Sequence, residues 1–312
     1  MVIPDAERAQ PRLLLFHKVS PTPEVGFTWL TPTKFARVVQ NLTARGWISV
    51  GLDELRLRCS QTSRLTAGNA SSNGTFDDTL ISHGLGGRTF LSAPIGFVRP
   101  GGQECPLSKI VKSPLGIVFD DGYECIYHHA LPVLADKGHT ATVFIPTGYL
   151  GRANDWDYHL GGPRFRHLDS YQVKELAARG WTIGSHTVTH RGLTTLDPKA
   201  VKTELMDSKR CLEDITGKSV NWIAFPFGRY NLRILETAAE AGFTGAVVPV
   251  IIPLIELPSF PVYSADAIYW WDGVKRITRL VELNSTPRGG RLFRRAVNFC
   301  ARGTIIWKRV LH

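Results

Sequence analysis

Two adjacent carboxylates, Asp120 and Asp121, follow the apolar run Gly116-Ile117-Val118-Phe119 and precede Gly122. Two imidazoles, His186 and His190, stand four residues apart in Ser185-His186-Thr187-Val188-Thr189-His190, directly after the apolar segment Trp181–Gly184. Histidines at this spacing share one face of a helical turn, where both can grip one metal ion. A zinc ion commonly takes two histidines, one carboxylate and a water. Metal-assisted hydrolysis is the chemistry this set could perform. Each piece alone is weaker. Asp-Asp-Gly is equally the composition of a plain turn, and an isolated pair of histidines is more often a surface feature. A third segment, Ala224-Phe225-Pro226-Phe227-Gly228-Arg229-Tyr230-Asn231, suits a rigid wall with exposed backbone N–H groups. It suits an ordinary strand-to-helix turn capped by Asn231 equally well.

These segments need elements to position them. Short apolar runs at Arg12–Phe16, Trp47–Val50, Leu115–Phe119, Ala141–Ile145, Trp181–Gly184, Trp222–Phe225 and Phe243–Val248 read as strands. Amphipathic stretches lie between them. Asp197 and Pro198 open a helix carrying Val201, Leu205, Ser208, Leu212 and Ile215 on one face, and Gly217 ends it. Phe35, Val38, Val39 and Leu42 form a second stripe. Asn231 caps a third helix with Leu232, Leu235 and Ala239 expected inward. Seven alternations imply parallel strands joined by crossovers, and a closed or distorted barrel suits them better than an open sheet. All three chemical segments then fall at carboxyl ends of strands, where parallel α/β folds bind ligands.

Composition sets the outer bounds. The 312 residues are 43% hydrophobic and 21% charged, enough for a sizeable core. The net charge is +10, yet residues 275–312 hold ten Lys or Arg against the single acid Glu282, so the remainder is nearly neutral. Nucleic-acid binding is not supported. The basic tail interleaves Leu292, Phe293, Val297, Phe299 and Trp307 and could lie on an anionic membrane surface, or pack as a terminal helix. Five cysteines with no C-x-x-C pair argue against a thiolate metal site or a disulfide framework. No apolar run reaches the roughly 20 residues of a membrane span. Met1–Gln10 lacks a signal-peptide core, so a cytoplasmic or peripheral membrane location is expected. The expected division is 12–58 for the first part of the barrel, 59–113 for a mobile Gly/Ser/Pro-rich insertion, 114–273 for the catalytic core and 274–312 for the tail. Thr75-Phe76-Asp77-Asp78, inside the insertion, lacks both the glycine and a preceding apolar strand and is read as chance.

The ordered motifs resemble the polysaccharide deacetylases, carbohydrate esterase family four, also called the NodB-homology family. The resemblance runs through Leu15-Phe16-His17-Lys18-Val19, Val118-Phe119-Asp120-Asp121-Gly122, Ala141-Thr142-Val143-Phe144-Ile145, Gly184-Ser185-His186-Thr187-Val188-Thr189-His190 and Glu204-Leu205 with Ser208-Lys209. It covers roughly 12–57 and 114–248, and looks most like an exopolysaccharide-type subgroup. It implies an α/β fold, a distorted (β/α)7 barrel. It implies a divalent metal, zinc, on Asp121, His186 and His190, with Asp120 as general base and the backbone N–H of Phe227 holding the oxyanion. Tyr123, Trp156, Tyr230 and Trp270 are the candidate substrate-binding aromatics. The implied activity is hydrolytic removal of N-acetyl groups from a polysaccharide or its lipid-linked precursor. An O-acetyl esterase or other amide hydrolase, and a catalytically impaired carbohydrate-binding member, are the alternatives. The sequence departs from the family in three places. Ala224 stands where the third motif usually has Arg. The Leu-x-His that supplies a general acid is missing, with no histidine between His190 and His312. Phe260-Pro261-Val262 lacks the arginine that orients the base, with Asp266 a possible substitute.

Overall fold

The computed structural model describes residues 10–23, 28–59, 113–155, 164–250, 252, 254–255 and 257–283. Seven strands close into one barrel: β1 (Leu13–Phe16), β5 (Ser113–Phe119), β6 (Thr142–Ile145), β7 (Thr182–Ser185), β8 (Trp222–Ala224), β9 (Gly245–Pro249) and β10 (Val262–Ala267). Every pairing is parallel, and β1–β5 and β1–β10 complete the ring. The short strands β2 (Lys18–Val19) and β3 (Trp29–Leu30) pair with each other outside it.

The expected number of barrel strands is met, but by a different set. β4 (Trp47–Ser49) pairs only with the first residues of β5 and lies outside the ring. β10 takes its place between β9 and β1. Its sequence, Val-Tyr-Ser-Ala-Asp-Ala, has no continuous apolar run. Ala265 faces the lumen, and alternation sends Ser264 and Asp266 to the other face. Asp266 therefore points away from the lumen, contrary to its expected role beside the base.

The same alternation divides the core in two. Leu13, Leu15, Val118, Phe144, Trp222, Ala224 and Val247 fill the lumen. Their neighbours Leu14, Phe16, Phe119, Val143, Ile145 and Ile223 face the helical layer. The lumen is narrow, so large residues need small ones opposite them. A methyl group on Gly184 would lie 2.4 Å from the Phe144 ring, and one on Gly245 would lie 2.5 Å from Trp222. Helix α2, residues 52–59, closes the amino-terminal end. It inserts Leu52 and Leu55, and Asp53 accepts a hydrogen bond from Trp222 Nε1 at 2.9 Å.

The crossover helices follow their caps. In α1 (Pro32–Ala44), Thr31 accepts from Lys34 N–H, and Phe35, Val38, Val39 and Leu42 are buried. The short helices α3 (Cys125–His129) and α4 (Leu131–Asp136) link β5 to β6, and α5 (Ser170–Ala178) begins at a capping box of Asp169 and Gln172. Asp197 caps α6 (Pro198–Thr216), which Gly217 ends at φ 66°. Asn231 caps α7 (Leu232–Glu240), but the buried stripe is Ile234, Leu235 and Ala238. Leu232 at its first turn is exposed, so the expected face is shifted by part of a turn. The first residues of the basic tail form α8 (Val274–Leu283), which packs on α1 with an Arg45–Glu282 ion pair. The proposed insertion beyond residue 59 and the tail beyond 283 lie outside the described residues, as does the expected membrane contact. No helix among the described residues is long and apolar enough to cross a membrane.

Gly245→Ala forces its methyl into the Trp222 ring and should destabilise the barrel by about 1–3 kcal/mol. Thermal denaturation checks this; an unchanged midpoint would contradict the packing described.

Candidate metal centre

The barrel mouth gathers residues from the carboxyl ends of neighbouring strands. On β1 and β5, register pairs Phe16 with Phe119, and both rings face outward. The next residues, His17 and Asp120, therefore turn into the lumen side by side. Asp120 N–H donates to Phe16 O at 3.0 Å, extending the ladder to this level. Asp121 then takes φ 67°, which swings its carboxylate across the mouth, and Gly122 follows at φ 56°. Positive φ is uncommon for a residue with a side chain and must be held by its surroundings. Here His167 Nδ1 lies 2.7 Å from the Asp121 carbonyl and fixes that peptide.

His186 follows β7 and His190 follows four residues later, but the segment between them is not a helical turn. Thr187 and His190 have φ 68° and 54°. Side chains satisfy the N–H groups that helix geometry would leave open. Ser185 Oγ accepts from Thr187 N–H, Thr187 Oγ1 from His190 N–H, and the Glu204 carboxylate from Val188 and Thr189 N–H. The two imidazoles still converge. His186 Nε2 lies 3.4 Å and His190 Nε2 3.2 Å from the same oxygen, Asp121 Oδ1.

These separations fit a cation. Two ligand atoms each about 2.1 Å from one tetrahedral ion lie about 3.4 Å apart. All three side chains are buried and their donor atoms mutually close. His186 Nδ1 is committed to the Ala224 carbonyl at 2.7 Å, so Nε2 is the nitrogen presented to the site. Asp120 Oδ1 is buried and has no hydrogen-bond partner among the described residues. The donor set of one carboxylate and two imidazoles suits zinc, while softer thiolate ligands are absent from it.

The electrostatics separate the two carboxylates. Burial opposes ionisation of Asp121, but hydrogen bonds from His186 and His190 hold it well below the usual carboxylate range. Burial pushes Asp120 above its ordinary value, with His186 and His17 pulling against the rise. For His186, burial disfavours the charged form, yet the Asp121 hydrogen bond and the Asp120 charge raise it overall. A bound cation would take the place of that proton.

Of the remaining sequence candidates, Phe227 lies at the mouth. It has φ 60°, and its ring centroid is 4.9 Å from that of His190. Tyr123 and Tyr230 are built into the walls instead. Tyr123 is fully buried, with Lys18 Nζ 4.3 Å from its ring centre and its hydroxyl 2.9 Å from Asn154 Nδ2. The Tyr230 hydroxyl accepts from Ile255 N–H, and its ring stacks on Phe225. Both rings are large and amphipathic, so packing claims the body while a local partner takes the hydroxyl. Trp270 is 48% exposed, three residues past the end of β10. Trp156 lies outside the described residues. Sequence reasoning did not select His17, His167 or Glu204 as site residues. His17 carried a signal in its place one residue beyond an apolar strand, and Glu204 stood among the ordered motifs.

Residues 109–246 match the family model for polysaccharide deacetylase. The chain is 35% identical over 127 residues to YxkH of Bacillus subtilis (strain 168), covering 41% of each protein. It is 31% identical over 146 residues to poly-beta-1,6-N-acetyl-D-glucosamine N-deacetylase of Staphylococcus aureus (strain MRSA252), covering 43% of this chain and 47% of that one. It thus spans less than half the length of these curated relatives. Among solved structures, the Streptococcus pyogenes deacetylase PplD in complex with acetate superposes with a TM-score of 0.58 at 20% identity, over 86% of this chain and 97% of that chain. The barrel, with a carboxylate and two imidazoles at its mouth, thus coincides with a segment, residues 109–246, that matches the polysaccharide deacetylase family model.

Proposed function

We propose that the protein is a zinc-dependent hydrolase that removes N-acetyl groups from a polysaccharide or its lipid-linked precursor, releasing acetate and a free amine. The observation that carries this reading is the convergence of His186 and His190 on Asp121, with the second carboxylate, Asp120, beside them. The name of the Staphylococcus aureus relative supports an N-acetylated glucosamine polymer as the substrate class.

Asp121, His186 and His190 would hold the ion. When bound, a divalent cation polarises the acetyl carbonyl and lowers the pKa of water toward 7. Asp120 is the general base in this reading, accepting the proton of the attacking water on its carboxylate. Its raised pKa makes it a stronger base than an exposed aspartate. The Phe227 N–H would donate to the developing oxyanion, a role indifferent to the side chain carried there. We assign the general acid to His17. It shares the lumen face with Asp120 on the neighbouring strand, and its buried Nδ1 has no partner among the described residues. It would hand a proton to the departing amine nitrogen, replacing the histidine missing after His190. Trp270 offers an exposed ring for stacking against a sugar face.

Two outcomes follow. Native protein should bind one zinc per chain and release acetate from N-acetylglucosamine oligomers, whereas Asp121→Asn and His186→Ala should lose the zinc. Metal analysis and an acetate assay measure both; a native chain that binds zinc yet releases no acetate would favour a carbohydrate-binding role instead. Asp120→Asn and His17→Ala should each retain zinc while kcat falls about 10²–10⁴-fold. The pH–rate profile should lose its acidic limb in the first. Full activity in His17→Ala would remove it as the acid.

A further inference from the structure

We propose that Glu204, on α6 outside the barrel, is a positioning residue that sets the affinity of the metal centre through hydrogen bonds to the ligand loop. This rests on reading Asp121, His186 and His190 as a cation site. Glu204 is buried at 7% exposure. Among the described residues no cation pairs with it, an expensive arrangement for a carboxylate unless hydrogen bonds replace the lost water. Among the described residues, all its hydrogen-bond partners belong to the segment between the two histidines. Oε2 accepts from Val188 N–H at 2.8 Å and Thr189 N–H at 2.9 Å, and Oε1 accepts from the Thr189 hydroxyl.

The loop is gripped from the other side as well. Thr147 N–H donates to Thr187 O at 3.0 Å, and Gly148 N–H donates to Val188 O at 2.9 Å. A methyl group on Gly148 would lie 2.7 Å from that oxygen, so only glycine allows this approach. The β6 loop therefore holds the carbonyls and Glu204 holds the N–H groups. Between them the peptide plane is fixed while Thr187 and His190 keep their left-handed conformations. With Glu204 removed, the Val188 and Thr189 N–H groups lose their acceptor, and relaxation toward ordinary φ would turn His190 away from Asp121. Support of this kind, one layer behind the ligands, typically governs metal affinity by 10–100-fold.

The test uses the full chain and zinc, with affinity read by competition against a chromophoric chelator well below the thermal midpoint. Cobalt(II) absorption reports the ligand geometry. Glu204→Ala should weaken zinc binding by about 10–100-fold and alter the cobalt spectrum. Glu204→Gln should stay close to native affinity, because its amide oxygen can serve both N–H groups while its NH2 donates to Thr189 Oγ1. Glu204→Asp keeps the charge but is one methylene short, and should weaken binding as alanine does. If the alanine variant does not fold, the glutamine and aspartate variants decide. Native affinity in every variant would overturn the proposal, as would an aspartate variant that binds well beside a glutamine variant that does not. A native chain taking up no zinc would overturn the metal reading itself, before any variant is made.

Discussion

The barrel mouth holds two carboxylates and two imidazoles with almost no access to water, and the structure depends on how those charges compensate one another. Asp121 carries the burden. Hydrogen bonds from both histidines to one of its oxygens keep it ionised despite its burial. Asp120, one residue earlier, has no equivalent partner on Oδ1 among the described residues, and burial drives its pKa the other way. Two chemically identical neighbours thus differ in charge preference, Asp121 held ionised and Asp120 pushed toward its protonated form. Backbone geometry produces the split. Strand alternation sends Asp120 into the lumen, and the left-handed turn at Asp121 redirects the next side chain across it.

The parallel barrel makes this convergence possible. Register between β1 and β5 brings His17 level with Asp120, and β7 and β8 deliver His186 and the Ala224 carbonyl that fixes its tautomer. The layers below must be filled without gaps for the mouth to be rigid. Glycines opposite Phe144 and Trp222 accommodate the large rings, and α2 plugs the far end with an aspartate on the Trp222 indole. The site's strain lies in four left-handed residues with side chains: Asp121, Thr187, His190 and Phe227. All four lie in the segments that form the candidate metal centre or its wall, where surrounding hydrogen bonds hold them.

The chemical core was legible in the sequence because its signals were local. Apolar runs ended at the Asp pair, at His186 and at Phe225, and the caps Asp197 and Asn231 announced their helices. What escaped depended on partners distant in the chain. β10 is recognisable only once β9 and β1 are placed, since polar Ser264 and Asp266 face outward and interrupt its apolar pattern. The spacing of His186 and His190 suggested a helical turn, but Glu204, Ser185 and Thr187 stabilise an irregular loop that only tertiary contact reveals. His167 was one of several histidines with no pattern, and its hold on Asp121 spans 46 positions. Tyr123 and Tyr230 looked available for sugars because sequence does not show that Asn154 and Ile255 engage their hydroxyls.

The most direct test is zinc-edge X-ray absorption of the full chain loaded with one equivalent of zinc. The account predicts nitrogen and oxygen neighbours at about 2.0–2.2 Å, with outer-shell scattering from two imidazole rings. A sulfur neighbour at about 2.3 Å, or a spectrum of hydrated zinc without imidazole, would contradict it.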